Sequence, residues 1–313
     1  MRIFLICILL LYMTATRADV LSLDNALRAT YTACVGIDDE LSDLKKMAGI
    51  NTAITGVGTA AAGGATVVGL VKASKDKEAE NIEIKLEELR KIEEQNPQPD
   101  PTDEELSAFM KEFAASREEA TKEIEKYQAE LDKLNKQSKK LGNWRTGLIA
   151  SGTVTNVAGA IIAGGNKVDK DLKTQIESCR ESVKALRSSI MQARIEGADV
   201  SEAEDIAKAC GEYDYVDVSP INKRGKGAMI SSIVGATTGA AGTVTSVMAN
   251  TDSTRNDNTD DGKKKEKNLN TASNILAGAT TAASATATVF NATQISAIKK
   301  VASVAEKCTE VLK

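Results

Sequence analysis

The chain of 313 residues contains no histidine. The commonest general base and the commonest transition-metal ligand are therefore absent together. Aromatic residues make up 3% of the chain and proline occurs four times. The bulky rings that fill large cores are scarce, so burial must come from many small helical contacts. No C-x-x-C pair occurs, which argues against a zinc ribbon or a thioredoxin-type site. The glycines of Gly56-Val57-Gly58 and Gly63-Gly64 are followed by no Gly-Lys-Ser/Thr, and no G-x-G-x-x-G is present. Nucleotide loops are thus unsupported. The net charge of −4 is spread over both signs and argues against nucleic acid as a partner. No catalytic, cofactor-binding or metal-binding set emerges, and no small-molecule substrate is evident.

What is present begins with a secretory signal. Arg2 supplies a positive start, Ile3 to Met13 a short apolar core, and Thr16-Arg17-Ala18 the small residues of a cleavage site. We expect residues 1–18 to be removed and the mature chain to start at Asp19. An apolar run this short does not comfortably span a bilayer. Cys7 would leave with the signal. Four cysteines remain in an exported chain, an even number that favours disulfides. The destination is the cell-envelope membrane, the periplasm or the extracellular space.

Four uncharged blocks rich in Gly, Ala and Thr stand out, at 50–71, 146–166, 227–251 and 268–298. Between the first two lies a charged stretch, 74–140. Ile82, Leu86 and Leu89, and later Leu131 and Leu134, recur there at helical spacing. Pro97, Pro99 and Pro101 break it, and Thr102 with Glu105 forms a capping box for the second arm. The pattern is a coiled-coil-like helical hairpin with a Pro-rich tip. Its second arm is the longer, so a break near Ser116 or Gly142 is expected. Gly36 should interrupt the helix that begins near residue 20, and Gly197 should end another at 168–196. Ser201 with Glu204 forms a second capping box, 212–226 reads as a loop, and 294–312 as an amphipathic helix. Residues 251–267 contain no apolar side chain and read as a disordered loop.

The blocks carry an internal duplication. Gly58, Gly152, Gly235 and Gly278 each precede a small residue by seven positions: Ala65, Gly159, Gly242 and Ala285. Glu177, Cys179, Glu181 and Lys184 repeat at the same spacing as Glu306, Cys308, Glu310 and Lys313. Cys34 lies 24 residues before Gly58 and Cys210 lies 25 before Gly235; Cys179 and Cys308 follow Gly152 and Gly278 by 27 and 30. At about 1.5 Å per residue these offsets are all roughly 36–45 Å. Antiparallel helices would bring Cys34 beside Cys179 and Cys210 beside Cys308, and these pairings are predicted. The expected fold is all-α, with two duplicated antiparallel hairpin units. The first, 19–197, carries the inserted charged hairpin; the second is 201–313.

Glycine inside a helix costs about 1 kcal/mol against alanine, which a close neighbouring backbone must offset. Small residues recur four apart, as at Ala61, Ala65, Gly69 and Ala73, or Thr155, Gly159 and Ala163, the pattern of tightly packed helices in membranes. Two readings follow. Each block is long enough to cross about 30 Å of hydrocarbon, and basic residues such as Lys72, Arg145, Lys226 and Lys299 flank them. Against this, mean hydropathy over a 19-residue window is only roughly 1.0–1.6, and Asn156 and Asn274 sit within blocks. The composition therefore suits either a non-enzymatic envelope protein that associates with membrane, or a soluble secreted helical bundle; a pore-former or translocator lies between. The hairpin 74–140 is the arm free for a protein partner or for self-association.

Overall fold

The computed structural model describes residues 22–95, 104–255 and 259–313. The signal 1–18, the proline cluster 97–101 and the cap residue Thr102 lie outside the described residues. The fold is all-α, with no strand among the described residues. In chain order the helices are α1 (22–34), α2 (Ile37–Gln95), α3 (Glu104–Gly165), α4 (Lys170–Ile195), α5 (Ser201–Ala209), a 3-10 segment (Cys210–Tyr215), α6 (Ser219–Asn250), α7 (Asp252–Arg255) and α8 (Asp260–Leu312).

The boundaries have local causes. Gly36 takes φ +93° and separates α1 from α2, a left-handed conformation that a Cβ disfavours. Asp38, Asp39 and Glu40 then occupy the first turn of α2, where negative charge meets the positive end of the helix dipole. Asp169 caps α4 by accepting the Leu172 N–H at 2.8 Å. Gly197, at φ +81°, closes that helix. Its N–H donates to the Arg194 carbonyl, and the Ala198 N–H reaches back to Ala193, the double bond of a Schellman end.

Four expectations differ from what is found. Helix α3 runs unbroken through Ser116 and Gly142. The cap of α5 is not a Ser201 box: Asp199 accepts both the N–H and the Oγ–H of Ser201, at 3.0 and 2.8 Å. The expected loop 212–226 is a 3-10 turn followed, from Ser219, by α6. Asp217 opens that helix by accepting the Ser219 N–H at 2.8 Å, and Pro220 sits in the first turn, where its missing N–H has no partner to lose. Finally, of the stretch expected as a disordered loop, 251–267, residues 252–255 and 260–267 are helical, and 256–258 lie outside the described residues. Asp252–Arg255 is a turn of helix and α8 starts at Asp260. Its charges are tied down: Lys263 donates to Glu83 at 2.6 Å and Arg255 to the Asn135 carbonyl at 3.1 Å.

The chain divides into two compact units that do not follow the sequence halves 19–197 and 201–313. Unit 1 comprises the described residues up to Gly56, with Asn156–Ile233 and Ser284–Lys313. Unit 2 comprises Val57–Thr155 and Val234–Ala283. Helices α2, α3, α6 and α8 thus each contribute one stretch to each unit.

Unit 1 holds the main apolar core. Leu23 and Ile37 meet Leu172, Ile176, Val183 and Leu186 of α4, Ile206 of α5, and Ile298 and Val301 of α8. Each such side chain contributes about 1.5–3 kcal/mol on full burial. In unit 2 the larger apolar cluster joins Ala79, Ile82 and Leu86 of α2 to Leu131 and Leu134 of α3, flanked by Ile124 and Tyr127. These residues belong to the charged hairpin arms, whose outer faces carry i,i+4 pairs such as Lys91–Glu87 and Lys122–Glu118. Exposed pairs of this kind contribute little each.

Candidate functional site

The inward positions of the four long helices follow a spacing of three and four residues in alternation. In unit 2 the buried series is Gly58, Ala62, Ala65, Gly69 and Lys72 on α2, Gly142, Arg145, Ile149 and Gly152 on α3, Gly235, Gly239, Gly242 and Ser246 on α6, and Ser273, Ala277 and Thr280 on α8. This is the 3.5-residue period of a coiled-coil seam. Its occupants are mostly small. Helices α2 and α3 approach within backbone contact: a Cβ on Gly152 would lie 3.4 Å from the Ala62 Cβ and 3.5 Å from the Gly58 carbonyl oxygen. A Cβ on Gly242 would lie 3.2 Å from the Leu276 Cβ of α8. Thr238 and Thr280 share a hydrogen bond at 3.0 Å, and Ser273 donates to the Gly242 carbonyl at 3.2 Å.

Large side chains occupy the outside of unit 2. Val57 is 61% exposed, Leu70 63% and Val154 68%. Val67, Val244, Val247 and Ile275 are exposed as well. Scattered surface leucines are ordinary; a surface richer in bulky aliphatics than the interior is not.

The seam stretches of unit 1 repeat the inversion. Asn51 donates to Asn291 at 3.0 Å, Asn156 to the Ser284 hydroxyl at 2.8 Å, and Thr288 to Thr55 at 3.1 Å. Gln294 donates to the carbonyls of Asn166 and Ile221. These bonds satisfy much of the buried polar set, while Asn51 Oδ1, Ser232 Oγ and Gln294 Oε1 are buried without a partner. Ile50, Val157, Ile161, Ile230 and Val289 face outward.

At one end of the uncharged stretches in unit 2, two basic residues are wholly buried. Lys72 pairs with Asp76 at 2.6 Å and with Glu266 at 3.7 Å, and Asp76 accepts the Ser138 hydroxyl. Arg145 donates to Ser246 at 3.2 Å and to Asn270 and Asn274 at 3.0 Å each. Burial pushes the Glu266 carboxyl above the ordinary range; Lys72 and Arg255 pull it back, while Asp76 adds to the rise. A buried charge is tolerated when paired and hydrogen-bonded; Lys72 has carboxylate partners, whereas Arg145 is held by neutral hydroxyl and amide oxygens. Trp144, beside Arg145 in the chain, is exposed.

The helix-packing residues fall on both sides of the seam rule. Gly58, Ala65, Gly152, Gly159, Gly235 and Gly242 are buried seam positions. Gly278 and Ala285 stand one residue off it; the buried positions there are Ala277 and Ser284, and a Cβ on Gly278 would meet nothing within 4 Å. The stripes four apart drift likewise: Ala62 and Lys72 are buried, not Ala61 and Ala73. Cys34 is bonded to Cys179 and Cys210 to Cys308, all four at 0% exposure in the core of unit 1.

Two stretches are long and apolar enough to cross a membrane by length and composition, within Ser22–Lys91 and within Glu118–Ile195; their best windows have mean hydropathy 1.6 and 1.4, and 28% of each window is buried. Comparison of the chain with protein-family models, with curated proteins and with solved structures gave no match.

Proposed function

We propose that the protein is an exported, non-enzymatic envelope component whose four uncharged helical stretches associate with lipid, and that its role is structural or interactive. The observation that carries this reading is the inversion of the seam. Small and hydrogen-bonding residues such as Gly58, Gly152, Asn51 and Asn156 lie inside, and Val57, Val154 and Ile161 lie outside. In water that arrangement leaves apolar surface exposed at about 25 cal/mol per Å². In hydrocarbon the same surface is solvated, and association rests on close backbone contact and interhelical hydrogen bonds. Apolar surface marks an interaction site, and outward aliphatic side chains along uncharged helical stretches fit acyl chains.

The uncharged stretches exceed the about 20 residues a spanning helix needs. They end at Lys46, Lys72, Arg145, Lys167, Lys226, Lys267 and Lys299, side chains able to reach the headgroups. The duplicated hairpin architecture and the removable signal belong to the same proposal. The charged arms of 74–140 would stand in water and offer the surface for a partner or a second copy.

Alkaline carbonate extraction of membranes from expressing cells tests the reading. The protein is expected in the membrane pellet. Quantitative recovery in the soluble wash would overturn the proposal in favour of a soluble secreted bundle. Dye release from liposomes by the purified protein would point instead to a pore-former.

A further inference from the structure

The four cysteines of unit 1 come from four separate elements: the last residue of α1, the middle of α4, the first residue of the 3-10 segment and the C-terminal part of α8. The two disulfides are neighbours. The sulfurs of Cys34, Cys179 and Cys308 all lie within 4.8 Å of one another, and Cys210 is bonded to Cys308 at 2.00 Å. All four cysteines are fully enclosed in the core of unit 1.

We propose that the thiol form of this cluster is a four-cysteine site for a single thiophilic divalent cation of the zinc type. A tetrahedral thiolate site has metal–sulfur distances of about 2.3 Å, which sets sulfur–sulfur separations of about 3.8 Å. The bonded pairs here are closer than that, and Cys308 lies within 4.8 Å of both Cys34 and Cys179; Cys210 reaches the group through its bond to Cys308. Opening each disulfide must let its two sulfurs separate by about 2 Å, and the Cys210 sulfur must swing toward Cys34 and Cys179, movements of the size that side-chain rotation supplies. No two of these cysteines are near in sequence, so the site has none of the C-x-x-C spacing by which such sites are read from a chain. The same core holds two buried hydroxyls with no hydrogen-bond partner, Tyr213 and Thr309. Thr309 follows Cys308 directly and Tyr213 lies three residues after Cys210. They are the nearest hydroxyl donors in sequence to two of the thiolates.

The chemistry balances as follows. A phosphine and one water reduce each disulfide to two thiols, and the phosphine leaves as its oxide. Four thiols then release four protons as they take up one divalent cation, giving a tetrathiolate of net charge −2. The cation would join all four elements at one point, where the disulfides join them in pairs. Before oxidation the chain thus has an alternative means of closing the same core, since metal binding of this kind is itself folding free energy.

The experiment uses the full chain with Cys7→Ser, so that only the four core cysteines remain. The protein is reduced anaerobically with a phosphine under mild denaturant, returned to buffer and titrated with cobalt(II), then zinc(II). The expected result is one cobalt per chain, with sulfur-to-cobalt charge-transfer bands and the visible bands of tetrahedral coordination, all lost on adding zinc. Zinc should also raise the melting temperature of the reduced protein by several degrees, or restore helicity if the reduced, metal-free chain is unfolded. The oxidised protein should bind none. Cys210→Ser should weaken cobalt binding at least tenfold. Absence of stoichiometric binding, binding that survives unchanged in Cys210→Ser, or zinc that neither stabilises nor refolds the reduced chain would overturn the proposal.

Discussion

The core of unit 1 around α4 and the seam of unit 2 are both made of helices, yet they are built on opposite plans. The first buries Leu172, Ile176, Val183 and Leu186 and leaves charges outside. The second buries Gly58, Ala62, Ala65 and Gly152 and leaves Val57, Leu70 and Val154 outside. An amphipathic helix in water keeps its bulky aliphatic face inward, so the α4 region is built for water. Where the surroundings are themselves apolar, outward valine costs nothing and inward glycine lets backbones touch. On the proposed lipid association, the inward residues of each region match its solvent.

Removing the disulfides should have the largest effect on this contrast. Replacing both pairs with alanine should lower the unfolding free energy by about 4–5 kcal/mol per bond, because each closes a long loop. Denaturant melts followed by amide exchange should place the loss in unit 1. A loss under about 1 kcal/mol would mean that the aliphatic core alone holds that unit. Next in size is Leu186→Ala, a fully buried α4 side chain, expected to cost about 2–5 kcal/mol.

The seam should respond to added volume rather than to its removal. A Cβ on Gly159 would lie 2.8 Å from Thr55 Cγ2 and 3.2 Å from Ser232 Oγ, so Gly159→Ala should cost about 1–3 kcal/mol. Gly278→Ala, off the seam and facing open space, should instead stabilise by up to about 1 kcal/mol. Equal responses of the two variants in thermal melts would break the distinction between seam and surface.

The smallest effect is electrostatic. Burial raises the folded-state pKa of Glu266, so its contribution to stability is fully present below the unfolded value near 4.5 and is lost as pH rises through the folded one. The partners facing it are Lys72, Asp76, Arg255 and Asn270. Glu266→Gln should flatten the stability profile across that window, and a profile identical to that of the parent chain would assign the pH response elsewhere.

Much of the fold is visible in the chain. Helix ends marked by Gly36 and Gly197 are legible because glycine alone takes a positive φ without strain. The seven-residue spacing of Gly58 and Ala65, or Gly152 and Gly159, is two seam steps. The register is harder to read. Glycine and alanine serve equally well in a small-residue seam, so matching glycine to glycine chose Gly278 where the buried residue is Ala277. The segment 251–267 has the composition of a loop, but Lys263, Arg255 and Glu266 find partners more than a hundred positions away, in Glu83, Asn135 and Lys72. The enclosed Lys72 and Arg145 look in sequence like flanking surface charges. Asp76 is four residues on in the same helix, but Glu266, Ser246, Asn270 and Asn274 come from other helices, and no local pattern foretells them.

The two sulfur bonds also divide the polypeptide covalently. One ring closes between Cys34 and Cys179 and contains all of α2 and α3; the other closes between Cys210 and Cys308 and contains α6, α7 and α8 as far as Cys308. A single tether, from Arg180 to Ala209, links the rings. A protease nick within either ring therefore releases no fragment until the sulfurs are reduced. One cut in the tether parts the molecule into two pieces with no covalent link between them.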